Sequence, residues 1–414
     1  MPRRPTEDFT FSHLIYLLLR RALIFSTDLH ISVPTHIVLS EQAATSAGTL
    51  TDAEKELPLL LFHLKNGNPD QRVRFQRIQK SFETMTGEKF DLVAKTEIQT
   101  YGEQGAKHLV LVIDPRIIDA QGDISLFYHG VGIKEAFGLA TLLDESEGHI
   151  VLLDEPTANL HAGMQHKLLE VLREAPGQVI VVTHSAHVLP TRADEFRTVC
   201  RMQKKGVETH IMSLRSTIHV TPEKLERELS ASGDVAGLLF ANGVILVEGQ
   251  TEVAAFSTWF SKSTSSQHRS FADLNIIVHS VDGKTNFPFY LRFLTAFGVA
   301  WAVICDGDAL PPTTNTGLWN ALADLQLISR VPHSAPFATL KAEAEKAGVY
   351  TANTSSTSPG KEFEEIPAVK QYIDNNSNLP KRSTAQRGRY IAQNIPCPQE
   401  VDEILQRALY WLGR

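Results

Sequence analysis

Apolar and polar positions change rhythm twice along the chain. Up to about residue 100 the apolar positions are interleaved with charge at helical spacing, as in Arg72-Val-Arg-Phe-Gln-Arg-Ile-Gln-Lys-Ser-Phe82, and this stretch reads as mostly helical. Near the start, Leu14 to Phe25 is more apolar, but Arg20 and Arg21 split it and it is far shorter than a membrane span, so a core helix is expected there. From about Lys107 short apolar runs alternate with helical patterns: His108 to Ile113, Ile150 to Leu153 and Val179 to Val182. A second series runs through Val244 to Val247, Leu274 to Val278 and Val299 to Ile304. Strands alternating with helices are the rhythm of an α/β fold with parallel sheets. A polar, mixed segment from Arg215 to Asp234 separates the two series and reads as a junction. Ser261 to Ser266 and Thr351 to Ser358 are rich in Ser and Thr and are expected as mobile surface loops. The sequence shows no internal repeat.

Composition narrows this picture. A chain of 414 residues is too long for one ordinary core, so two or three domains are expected. With 43% hydrophobic and 21% charged residues it has a globular composition. Cys200, Cys305 and Cys397 are far apart, form no metal-type cluster, and read as reduced thiols of a cytoplasmic protein with no membrane association. A net charge of -7 argues against a protein that coats nucleic acid generally and leaves room for local basic patches. Arg72, Arg74, Arg77 and Lys80 form one such patch, either a solvated helix face or a backbone contact.

Two groups of residues carry candidate chemistry. In the first, Asp154 and Glu155 follow directly on Ile150-Val-Leu-Leu153, at the carboxyl end of a strand where α/β sheets bind ligands. There Asp154 can hold magnesium through water and Glu155 can orient the water that attacks a terminal phosphate, unless the two acids simply cap a helix. A second strand delivers His184 to the same edge. Upstream, Gly130 and Gly132 open a helix and would let backbone amides approach a phosphate. The order of these parts resembles the Walker B, D-loop and H-loop of the ABC-type ATPases, with Tyr128-His-Gly-Val-Gly-Ile-Lys-Glu135 similar to a degenerate signature motif in which Val131 replaces the usual Ser. A P-loop, GxxxxGK[ST], is missing: Gly283-Lys284-Thr285 is the only Gly-Lys-Thr, and Val278 stands where its first glycine would have to be. ATP is therefore expected as a ligand only if a P-loop is supplied elsewhere, for example by a partner chain.

In the second group, Glu248 ends one apolar strand and Asp306-Gly-Asp308 ends another. Acids at i and i+2 leaving a strand point the same way and can share an ion. Glu248, Glu252, Asp306 and Asp308 are expected to converge, and crowded carboxylates with oxygen-only ligation select magnesium or manganese. This pattern resembles the TOPRIM domain, whose metal acids steer attack on a phosphodiester. A haloacid-dehalogenase-type phosphatase also has Asp-x-Asp after an apolar strand, but Leu310 stands where it needs threonine and it leaves Glu248 unexplained. Lys284, in the turn after the middle strand, either contacts a phosphate or is simply solvated.

An ABC-type ATPase half followed by TOPRIM resembles the overcoming-lysogenization-defect (OLD) family of bacterial nucleases. The resemblance implies an α/β fold: a partial ABC-type ATPase domain over 1–214, a junction over 215–240, and a Rossmann-like TOPRIM nuclease domain with a parallel sheet and a helical extension over 241–414. It implies a Mg2+- or Mn2+-dependent DNA endonuclease or nickase, commonly a homodimer, in phage defence or DNA repair. It further implies Glu364 as a metal ligand and Lys381, in Pro380-Lys-Arg-Ser-Thr-Ala-Gln-Arg-Gly-Arg389, as a catalytic lysine; Lys381 can equally be a contact to DNA backbone. The competing reading is a catalytically silent truncated or regulatory subunit that needs a partner. His161 and His166 lack a third ligand nearby in sequence and do not suggest zinc.

Overall fold

The structure is a computed structural model that describes residues 22–26, 50–101, 106–119, 122–214, 220–231, 234–262, 270–311, 317–328, 335–351, 362–376, 378–381 and 384–413. They belong to two compact units, Met1–Val188 and Leu189–Arg414.

In the first unit β1 (Ala22–Ser26) occupies the end of the run expected as a core helix; the remainder of that run lies outside the described residues. The apolar stretch there is short and pairs in parallel with β5 (Ile150–Asp154), which in turn pairs with β6 (Gln178–Val182). The helical expectation holds for α1 (Leu50–Asn66) and α2 (Pro69–Thr86). Asn68 and Gln71 form a reciprocal capping box at the start of α2, and Gly87 ends it in the left-handed conformation, φ 80°. Three of the four basic residues of the α2 patch are ion-paired. Arg74 and Arg77 both reach Asp144, at 2.8 and 2.5 Å, and Lys80 reaches Glu174 at 3.0 Å.

Helix was the wrong expectation for residues after 88. β2 (Lys89–Tyr101) and β3 (Ala106–Asp119) form a long antiparallel hairpin extended by β4 (Gly122–Ser125), so the His108 to Ile113 run is a strand but belongs to no parallel sheet. In β2 apolar positions alternate, Phe90 and Leu92 buried, which suits a sheet with one face on the core. Phe75, Phe82, Phe90 and Phe137, the last from α3 (Val131–Asp144), pack edge to face in that core. α4 (Ala162–Glu174) connects β5 to β6 and buries Met164, Leu168 and Val171.

The second unit begins earlier than the expected boundary at 214. The hairpin β7 (Cys200–Lys205) and β8 (Glu208–Ser213) belongs to it, because Arg201 donates to the carbonyls of Leu239 (2.8 Å), Ala241 (3.4 Å), Phe297 (3.3 Å) and Gly298 (3.1 Å). Met212 lies so close over Gly298 (φ 62°) that a Cβ there would overlap its sulfur. The expected junction contains a packed helix, α5 (Pro222–Ala231), with Leu225 and Leu229 buried. Next come β9 (Gly243–Val247), α6 (Gln250–Lys262), β10 (Ile276–Ser280), α7 (Phe287–Ala296), β11 (Ala300–Ile304) and β12 (Val349–Tyr350). These strands form the expected parallel sheet in the order β10-β9-β11-β12. β9, at the centre, is buried at every residue. α8 (Ala385–Asn394) lies against α6, and α9 (Gln399–Leu412) contributes Val401, Leu405 and Ala408 to the same core. The expected Ser/Thr-rich loops fall largely outside the described residues. Among the described residues no helix is long and apolar enough to cross a membrane.

Candidate metal centre

Because β9 is sandwiched between β10 and β11, its carboxyl end opens between theirs, and the residue after it meets the residues that follow both neighbours. Glu248 follows β9; Asp306 and Asp308 follow β11. One carboxylate oxygen from each lies within 4.8 Å of the others, so the three acids form a group of metal-ligand size, the only such group of His, Cys, Asp or Glu among the described residues.

The electrostatics of the group are severe. Burial first, then the charges of Asp306 and Asp308, push the Glu248 carboxyl up to about 8, against smaller opposing effects from Lys284 and the Asp306 backbone N–H. Glu248 Oε1 and Asp308 Oδ1 are buried with no hydrogen-bond partner. Asp308 Oδ2 is engaged by the Lys284 ammonium. Burial lowers the pKa of that ammonium, but Asp308, with Glu248 and Asp306 behind it, outweighs this and raises it. Hard oxygen ligands with unmet lone pairs suit a divalent cation such as magnesium or manganese.

The other expected acids, Glu252 and Glu364, are not among the three whose oxygens lie within 4.8 Å of one another. Glu252, in the first turn of α6, turns back so that its carboxylate accepts from the backbone N–H of Gly249 and its own; burial raises its pKa, and Glu364 adds to the rise. Glu364 is held by Arg387 at 2.5 Å, and the Arg387 guanidinium, 5% exposed, also donates to the Pro380 carbonyl at 3.0 Å. The charge of Glu364 thus acts on Glu252. Lys381 is exposed; its carbonyl accepts from Thr384 Oγ1, which also caps α8. Thr251 Oγ1 reaches the Thr384 carbonyl at 3.4 Å, and Gly388 packs against the Thr251 carbonyl too closely for any Cβ. Arg387 was not singled out from the sequence. Its polar surroundings gave no sign that it would be buried against an acid.

In the first unit Glu155 follows β5 with φ 47°, an uncommon conformation for a side chain of its size. Its Oε2 accepts from the His184 backbone N–H at 3.3 Å, and its Oε1 lies 3.6 Å from His184 Nε2, so the expected Walker B and H-loop residues meet. Asp154 is exposed. Gly130 sits at the N-cap of α3 in open space. Gly132 is required by packing, since a Cβ there would lie 2.5 Å from the Asn159 carbonyl. Asn159 also bonds the buried Glu135, which fastens the loop before α4 to α3. His161 caps α4 through Nδ1, and His166 stacks edge-on against His187.

Comparison with known proteins agrees with this layout. Residues 239–308, which include Glu248, Lys284, Asp306 and Asp308, match the family described as overcoming lysogenization defect protein-like, TOPRIM domain. Residues 39–189, from before α1 to past His184, match the family described as AAA domain, putative AbiEii toxin, type IV TA system. No curated protein matches the chain. Among solved structures, the C-terminal region of the Xanthomonas campestris pv. campestris OLD protein is 20% identical and covers 42% of this chain and 97% of its own, with TM-score 0.30. The C-terminal region of the Burkholderia pseudomallei OLD protein is 20% identical over 42% of this chain and 99% of its own, TM-score 0.30. The SMC head domain from Thermotoga maritima is 16% identical over 38% of this chain and 52% of its own, TM-score 0.25.

Proposed function

We propose that this chain, which joins an AAA-type domain to an OLD-like TOPRIM domain, is a divalent-metal-dependent DNA endonuclease or nickase. The observation that carries the reading is the pair of buried, unpartnered carboxylate oxygens, Glu248 Oε1 and Asp308 Oδ1, within a group of three acids. An unpaired buried carboxylate is expensive, and a cation ligated by oxygen removes that cost. Glu248, Asp306 and Asp308 would hold Mg2+ or Mn2+. A bound ion of this kind supplies charge to a phosphoryl oxygen and acidity to a water.

The chain's own groups do the rest. At the end of β9 Glu248 serves either as a ligand to that ion, in its ionised form, or as an acid or base, the role that burial and the neighbouring acids favour when no ion neutralises them. Glu252 and Glu364 remain proposed as flanking carboxylates for a further ion, with Arg387 orienting Glu364. Lys381, exposed just before α8, is proposed as the cationic catalytic residue. In the first unit, Asp154, Glu155 and His184, with Gly130 and Gly132, are proposed to act on ATP only when a P-loop comes from another chain. A homodimer in the cytoplasm, serving phage defence or DNA repair, completes the proposal.

Plasmid cleavage tests this directly: supercoiled DNA is incubated with the purified chain in manganese, in magnesium, and in EDTA. Nicked or linear product is expected with either metal and not with EDTA. Plasmid left intact in both metals overturns the reading and favours a silent subunit.

A further inference from the structure

Lys284 is held in place more firmly than a solvated turn lysine requires. Leading from β10 into α7, Asp282 and Gly283 take consecutive positive φ values, 53° and 110°. The first is uncommon for a residue with a side chain, and such conformations persist where surrounding structure enforces them. Here it does. The N–H groups of Val281 and Gly283 donate to the carbonyls of Val247 and Glu248, each at 2.9 Å. Ser280 Oγ donates to Asp282 at 2.8 Å, and Asn286 Nδ2 donates to the Val281 carbonyl at 2.7 Å. Lys224 of α5 donates to Asn286 Oδ1 at 2.6 Å and braces the turn from outside. The result is a rigid turn laid across the end of β9, with Lys284 directed at Asp308.

Asp308 then has two distinct sides. Its Oδ2 holds the ammonium, while its Oδ1 is buried and unpartnered in the same group as Glu248 Oε1. One carboxylate can therefore hold a divalent ion on one oxygen and the ammonium on the other. When all three acids are ionised, three negative charges and one ammonium leave two, the charge of a single divalent ion. The Lys284 side chain is 33% exposed, and an ammonium has three donors, of which Asp308 takes one.

We propose that Lys284 contacts the phosphate of the DNA substrate at this centre: Asp308 positions its ammonium beside the divalent-ion site, and its remaining N–H donors bind a non-bridging phosphate oxygen. This rests on the nuclease reading and adds to it a residue that recognises the substrate's charge. The contrary reading is that Lys284 only neutralises Asp308.

The full chain is titrated with a fixed duplex oligonucleotide by fluorescence anisotropy in Ca2+ over a salt series, as wild type, Lys284→Met, Lys284→Gln and Lys284→Arg. Both neutral variants should bind roughly tenfold more weakly, the loss of one charge-assisted contact. They should also lower the log-log salt slope by about one, and Lys284→Arg should restore that slope. Lys284→Gln gives the same reading if Lys284→Met does not fold. An unchanged salt slope in the neutral variants, with wild type cutting plasmid in manganese, overturns this proposal and leaves the nuclease reading standing. Wild type that neither binds Ca2+ calorimetrically nor cuts plasmid overturns the nuclease reading and this proposal with it.

Discussion

Both units set acids at the end of a parallel strand, yet the two settings differ in what the acids lack. After β5, Asp154 is exposed and Glu155 already accepts from the His184 N–H. After β9 and its neighbour β11, Glu248 and Asp308 each keep a buried oxygen without a partner. β5 alternates half-buried and buried residues up to the exposed Asp154, whereas β9 is buried throughout. An acid at a strand end is only a candidate; burial combined with unmet hydrogen-bonding capacity is what a cation could relieve.

The largest expected effect probes that contrast head-on. Asp306→Ala should lower plasmid nicking in manganese by ~10²-fold or more, in line with removal of a group that stabilises developing charge. Glu155→Gln, assayed without nucleotide, should leave the nicking rate close to wild type. Equal losses in the two variants would erase the distinction between the settings.

Stability against pH comes next. The Glu248 carboxyl titrates near 8 in the folded chain against 4.5 ordinarily, so the folded state binds its proton more tightly. Below about pH 4.5 it is protonated in both states and costs nothing. Between there and about 8 the unfolded chain ionises first and stability falls as pH rises; above 8 the full penalty is present. Glu248→Gln in EDTA should therefore be more stable than wild type by a few kcal/mol at pH 8 and nearly unchanged at pH 5, read from urea unfolding. A gain of the same size at both values would contradict the raised pKa.

A smaller effect separates the two glycines at α3. Gly132→Ala must push against the Asn159 carbonyl and should cost about 1–3 kcal/mol, whereas Gly130→Ala, in open space, should change stability by less than about 0.5 kcal/mol. Smallest of all is the response to nucleotide. With no P-loop in the sequence, millimolar ATP with magnesium should raise the melting temperature by less than about 1 °C.

The meeting of Glu248, Asp306 and Asp308 was legible in the sequence because its geometry is local. An apolar strand that stops on an acid fixes where the acid sits, and a parallel sheet brings neighbouring strand ends together. What the sequence concealed was set by tertiary contacts. Nothing in the spacing of Glu252 and Glu364 shows that the first folds back onto the α6 N-terminus or that Arg387 claims the second. β2 was misread because charged residues interleave its apolar ones; the period of two in Phe90 and Leu92 was the signal that separates it from a helix. α5 passed for a junction because its buried side chains, Leu225 and Leu229, are outnumbered by charge, though their spacing of four is that of a helix face.

The seating of the β7–β8 hairpin bears on how this protein can be dissected. Arg201 ties down carbonyls that precede two neighbouring strands of the parallel sheet, from the segment before β9 and from the turn before β11, while Met212 covers Gly298. A fragment begun at residue 215, where the polar composition invites a cut, would strip those carbonyls of their donor and bare the surface beneath Met212. An expression fragment of the second unit should start near Leu189 instead, and limited proteolysis should spare α5 (Pro222–Ala231) far longer than its charge content suggests.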